Sequence, residues 1–126
     1  MKLYYFHWDC GRQGDLDGIF VVSEEGEKIL RALIGMEIDF GEALGKHSQI
    51  VGTLEASELE AVEATDEEIL TVCRVLRIPF DGARWATISG HNPLDYIGNT
   101  GIDFEALLVK AGLPPDTATA PAPDEF

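Results

Sequence analysis

The stretch KLYYFHWDCGRQGDLDGIFVV, residues 2–22, decides how the rest of the chain is read. Its first part, KLYYFHW (2–8), is short and rich in aromatic residues, which suit the pleated, half-buried surface of a strand. DCGRQGD (9–15) gathers two glycines and two aspartates, the composition of a turn. LDGIFVV (16–22) then reads as a second strand. Together the three pieces predict an antiparallel hairpin whose loop exposes Arg12.

Working outward, Ser23 is placed as a helix N-cap, with Glu24 and Glu25 at the positive end of the helix dipole. Ile29, Leu30, Leu33 and Ile34 follow the spacing of one helix face, Lys28 and Arg31 lie off it, and Gly35 stops the helix. Met36, Ile38 and Phe40 alternate with Glu37 and Asp39, a strand signal. GEALGK (41–46) is a loop, and HSQIVGTLE (47–55) is a further strand centred on Ile50 and Val51. ASELEAVEA (56–64) is acidic and reads either way. Thr65 caps a second helix whose predicted buried stripe is Ile69, Val72, Cys73 and Leu76, with Arg74 and Arg77 near its end and Pro79 beyond it. A short strand is expected at WATIS (85–89), and a last helix at DFEALLVKAG (103–112), closed by Gly112.

These elements predict an α+β fold: a small antiparallel sheet of about four strands packed by two to three helices. One domain, residues 1–112, is expected. Residues 113–126, with four prolines, small residues and acids, are expected to form a disordered tail.

Composition narrows the function. The chain has 126 residues, enough for one core, and no apolar run of membrane-spanning length. Its N-terminus lacks the apolar region of a signal peptide, so an intracellular protein is expected. The net charge of -14 disfavours binding to DNA, RNA or anionic membranes, where Lys and Arg supply affinity. Cys10 and Cys73 have no C-x-x-C spacing, and Cys73 falls on a helix stripe, as a small buried hydrophobe does.

No catalytic or metal-ligating set stands out. His7, His47 and His91 are scattered, without zinc-site spacing, and no G-x-S-x-G elbow occurs. GEALGK lacks the spacing of a P-loop, although its glycine amides and Lys46 suit a single phosphate. The segment RWATISGHNPLDY (84–96) carries more chemistry. Arg84 is a planar phosphate binder. Trp85, Tyr96 and Phe80 offer flat faces for a base. Asn92 has the donor and acceptor that match an adenine edge, and Pro93 holds it extended. The competing reading puts Trp85 and Tyr96 in the core and makes Asn92 the start of an Asx-type turn before Pro93.

FGEALGKHSQIVGTLE (40–55) and ISGHNPLDYI (88–97), with KLYYF (2–6) and DGIFVVSEE (17–25), resemble the first Thoeris anti-defence family. These are small phage-encoded sponge proteins. The resemblance covers about residues 1–97; the segment NTGIDFEALLVKAG (99–112) and the tail lie outside it. It implies a non-enzymatic homo-oligomer that acts in the host bacterial cytoplasm without a cofactor. Its implied ligand is a cyclic ADP-ribose isomer made by TIR-domain proteins, and some members also hold cyclic oligonucleotides. A diphosphate joined to adenine and ribose calls for cations, a stacking ring and an amide. Lys28, Arg31, Lys46, Arg84, Trp85, Asn92 and Tyr96 supply those types, with His47 and Asp95 beside them in the matched segments. Two rivals stand against this. One is an acidic inhibitor that binds a host defence protein or mimics DNA. The other is a small nucleotide hydrolase acting through His47 or His91.

Overall fold

The computed structural model describes residues 1–11, 14–45, 49–80 and 82–114. β1 (Lys2–Asp9) and β2 (Asp15–Val22) form the expected antiparallel hairpin, in register from Lys2↔Val22 to Asp9↔Asp15. β5 (Leu59–Val62) pairs with the outer side of β1, and β6 (Trp85–Gly90) with the outer side of β2. The main sheet therefore runs β5-β1-β2-β6, all antiparallel. The fold is α+β, as expected.

The period-2 alternation of β1 and β2 sends their side chains to two different cores. Tyr4, Phe6, Leu16, Phe20 and Val22 face the larger one. There they meet Ile29, Leu30 and Leu33 of α1 (Glu24–Leu33), and Leu107 and Leu108 of α4 (Phe104–Lys110). Ile38 and Phe40 of β3 (Glu37–Gly41), with Ile50 of β4 (Ile50–Thr53), complete this core. On the other face Val21 and Ala86 meet Ile69 and Cys73 of α2 (Asp66–Val75), with Phe80. Each large side chain removed from water in these clusters contributes roughly 1.5–3 kcal/mol.

The helix starts form where the sequence places them. Ser23 Oγ accepts the Gly26 N–H at 3.1 Å. Thr65 Oγ1 accepts the Glu68 N–H at 3.1 Å while the Glu68 carboxylate accepts the Thr65 N–H at 2.8 Å, a reciprocal box.

Four features depart from expectation. β3 and β4 pair with each other as a separate two-stranded sheet instead of extending the main one. The place left at the β1 edge is taken by β5, from the acidic segment that the sequence left ambiguous. α2 buries only Ile69 and Cys73; Val72 and Leu76 of the predicted stripe are exposed, because the helix covers a single row of the sheet. A fourth, one-turn helix, α3 (Ile97–Thr100), follows a 3-10 turn at Pro93–Tyr96. Packing also continues past Gly112. Leu113 is buried and its N–H donates to the Leu108 carbonyl at 2.9 Å. The rest of the expected tail, 115–126, lies outside the described residues. Among the described residues no helix is long and apolar enough to cross a membrane.

Candidate functional site

The start of β6 is pinned by α1. The Ser23 N–H donates to the Arg84 carbonyl at 2.8 Å. Gly26 allows this approach, since a Cβ there would collide with the same carbonyl oxygen. The Arg84 side chain is held by Glu25, with Nε 3.4 Å from Oε1, and its guanidinium carbon lies 5.8 Å from the centre of the Phe104 ring. This junction forms one end of an open groove of about 630 Å³. Leu70, Cys73 and Arg74 of α2 line it, with Ile78, Phe80 and Ala83 from the following loop. Glu24, Glu25 and Arg84 contribute its charged end. Burial pushes the Cys73 thiol up, so the nucleophilic atom in the groove stays protonated.

The remaining residues of the 84–96 segment point elsewhere. Alternation along β6 sends Ala86 and Ile88 toward α2 and leaves Trp85 packed on the larger core. Trp85 Nε1 donates to Asp95 Oδ1 at 3.0 Å, and the Thr87 hydroxyl donates to Asp95 Oδ2. Asn92 is 0% exposed. Its Oδ1 accepts the Leu94 N–H at 3.0 Å and its Nδ2 donates to Thr87 Oγ1 at 3.2 Å. The side chain therefore caps the turn before Pro93, the arrangement of the competing reading. Tyr96 packs on Phe40 at 4.6 Å, and its hydroxyl is 2.9 Å from His91 Nδ1. Burial, then the Asp95 charge, raise the Tyr96 pKa. Trp85, Asn92, Asp95 and Tyr96 are thus brought together, but as a network joining β6 to the turn and to β3.

Lys28 and Arg31 are exposed on α1. Arg31 Nη2 lies 3.4 Å from Glu27 Oε2, the atom that Tyr4 Oη reaches at 2.6 Å and Lys2 Nζ at 3.0 Å. Burial raises the Glu27 carboxyl, yet the Tyr4 and Lys2 bonds outweigh it and hold the pKa below its ordinary value. Burial and the Glu27 bond push the Tyr4 hydroxyl up to about 12. Arg31 is therefore engaged in tying α1 to β1. Lys46 and His47 lie outside the described residues. Sequence reading missed the groove's Arg74 and the apolar lining from Leu70, Ile78 and Ala83. Arg74 showed only as a favourable charge near a helix end, whereas Phe80, which the sequence offered as a stacking face, does line the groove.

His7 sits on the outer face of β1, with Nε2 3.2 Å from Asp15 Oδ2 and 3.7 Å from Asp17 Oδ1. The Asp15 hydrogen bond raises its pKa most, desolvation opposes this, and the Asp17 charge adds to the rise. The cationic form is the one favoured by folding. Its contribution is full below the unfolded value of about 6.5 and is lost as pH rises through the folded value. An NMR titration should place the His7 midpoint above that of an unfolded histidine, and Asp15→Asn should lower it. An unshifted midpoint in the native chain would contradict the pairing.

Among the described residues, no group of three or more His, Cys, Asp or Glu is placed to hold a metal ion. Comparison with known proteins neither supports nor refutes the Thoeris anti-defence resemblance: no family model, curated protein or solved structure matches the chain.

Proposed function

We propose that the chain is a phage anti-defence sponge that sequesters a cyclic ADP-ribose-type nucleotide in the host bacterial cytoplasm without degrading it, as a homo-oligomer and without a cofactor. Cyclic oligonucleotides are a further ligand class on this reading. The observation that carries it is the groove between α1, α2 and the start of β6, where Arg74 and Arg84 flank an apolar lining. Its volume of about 630 Å³ falls in the range of about 300–1,000 Å³ typical of small-molecule sites. The two guanidinium groups suit a diphosphate, which they bind in bidentate fashion. Phe80 and Ile78 suit the flat faces of base and ribose, and the Glu24 and Glu25 carboxylates suit hydroxyl and amino donors.

Calorimetric titration with cyclic ADP-ribose isomers and cyclic dinucleotides tests the reading. At least one isomer should bind and be recovered intact after heat denaturation of the protein. Arg84→Ala and Arg74→Ala should each weaken binding about ten- to 150-fold, the loss of a charged hydrogen bond worth roughly 1.5–3 kcal/mol. Absence of binding by every isomer rejects the proposal, and recovery of a converted nucleotide makes the chain an enzyme.

A further inference from the structure

The geometry points to a second functional surface, a docking face for a basic protein segment on the part of the main sheet that α2 leaves uncovered. The registers arrange this face in rows. Val62, Leu3, Val21 and Ala86 form the first, and Leu3, Val21 and Ala86 pack in the cluster that α2 covers. The next row is Glu60, Tyr5, Ile19 and Ser89, followed by His7 with Asp17 and then Asp9 with Asp15. Neither Tyr5 nor Ile19 belongs to the cluster beneath α2, and Tyr5 is 47% exposed. A groove of about 340 Å³ runs over Tyr5, His7, Asp17, Ile19 and Ser89.

The chemistry of these rows selects the occupant. An aromatic and an aliphatic side chain lie side by side, with Glu60 in their row, Asp17 in the next and Asp9 and Asp15 in the one after. Among the described residues of the uncovered rows there is no Lys or Arg, and the one basic group, His7, already lies between Asp15 and Asp17. An Arg or Lys from a partner matches both parts. Its stem lies along Ile19, and its charge sits over the Tyr5 ring within reach of the carboxylates. A second copy meeting this face with the same face would set Glu60, Asp9, Asp15 and Asp17 against their own counterparts, so the oligomer contacts of the proposed function lie elsewhere, and a nucleic acid is repelled by the same carboxylates. This face is separate from the α1–α2 groove, which shares none of its residues.

The test uses the full chain and a short capped peptide alternating arginine and threonine, with a glutamine–threonine peptide as control, read by fluorescence anisotropy. The arginine peptide should bind and the control should not. Asp15→Asn combined with Asp17→Asn, and separately Tyr5→Ala, should each weaken binding about five- to ten-fold. Glu67→Gln combined with Glu105→Gln removes the same charge from helix starts elsewhere and should change it by about two-fold or less. Equal weakening by both double variants would overturn the proposal, because attraction would then follow total charge alone. So would peptide-free self-association in sedimentation that Tyr5→Ala abolishes, which would assign the face to a second copy.

Discussion

Gly18→Ala should destabilise the chain by about 1–3 kcal/mol or more. Gly18 lies in the middle of β2, opposite Phe6 on one side and Gly90 on the other. A Cβ there would overlap the His91 carbonyl oxygen, with the carbonyl carbon at 2.7 Å and the His91 nitrogen at 2.9 Å. These are backbone atoms and have no rotamer to yield. Gly90, at φ +72°, meets the same limit from the other side, where a Cβ would strike the Asp17 carbonyl oxygen. The two glycines let the end of β6 close over β2, and the His91 N–H then donates to the Asp17 carbonyl at 2.8 Å. Relief of the clash would break that bond and shift the 92–96 turn, which carries Asn92 and Leu94 into the core. Overpacking that forces backbone movement costs about 1–3 kcal/mol or more, a large part of a total stability of about 5–15 kcal/mol. Gly98→Ala is the control. It lies in α3 with nothing within 4 Å of a new Cβ, and a helical Ala is favoured over Gly by up to about 1 kcal/mol. Urea unfolding should separate the two variants widely. A Gly18→Ala transition within about 0.5 kcal/mol of the native protein would refute the close approach.

What could be read from the sequence divides by the range of the interaction that decides it. The β1–β2 hairpin, the Ser23 and Thr65 caps and the last helix depend on residues within a few positions of one another, and they formed as expected. β5 did not show itself. Glu60 and Ala61 hide any apolar alternation, and Leu59–Val62 becomes a strand only because the outer side of β1 offers a ladder. The separation of β3 and β4 from the main sheet also depends on distant contacts. Phe40 packs edge-on against Trp8 at 5.3 Å and stacks on Phe6 at 5.7 Å, so the small hairpin lies across the first core face. Val72 and Leu76 fit a helix stripe by spacing, but spacing cannot say how wide a surface the helix will meet. In the candidate site, Arg84 was legible as a cation of the right type. Its partner Arg74 was not, because the groove exists only once α2 has docked near the start of β6.

Asn92→Ala should cost about 2–4 kcal/mol of stability. The residue has no solvent exposure, and its two side-chain bonds join three local pieces of structure. Oδ1 satisfies the Leu94 N–H at the start of the Pro93–Tyr96 turn, where the backbone would otherwise be buried without a partner. Nδ2 reaches Thr87 Oγ1, and Thr87 in turn donates to Asp95, which also receives Trp85 Nε1. Removal of the N-cap, which leaves the Leu94 N–H unmet, costs about 0.5–2 kcal/mol, and loss of the buried bond to Thr87 adds to it within the range of about 1–3 kcal/mol. Asn92→Asp keeps the acceptor for Leu94 but loses the donor to Thr87 and brings a second carboxylate into the Asp95 network, so it should recover only part of the loss. The same substitutions bear on ligand recognition. If Asn92 acts through the fold, the folded fraction of Asn92→Ala should bind a nucleotide as the native chain does, because the residue lies outside the groove that Arg84 lines. If instead Asn92 hydrogen-bonds a base edge, affinity should fall about ten-fold or more while the melting temperature stays near its native value. Thermal unfolding and calorimetric titration on the same sample distinguish these outcomes. The expected result is a lowered transition with unchanged affinity, since a side chain enclosed by Thr87 and the Leu94 amide has no surface left to offer a ligand.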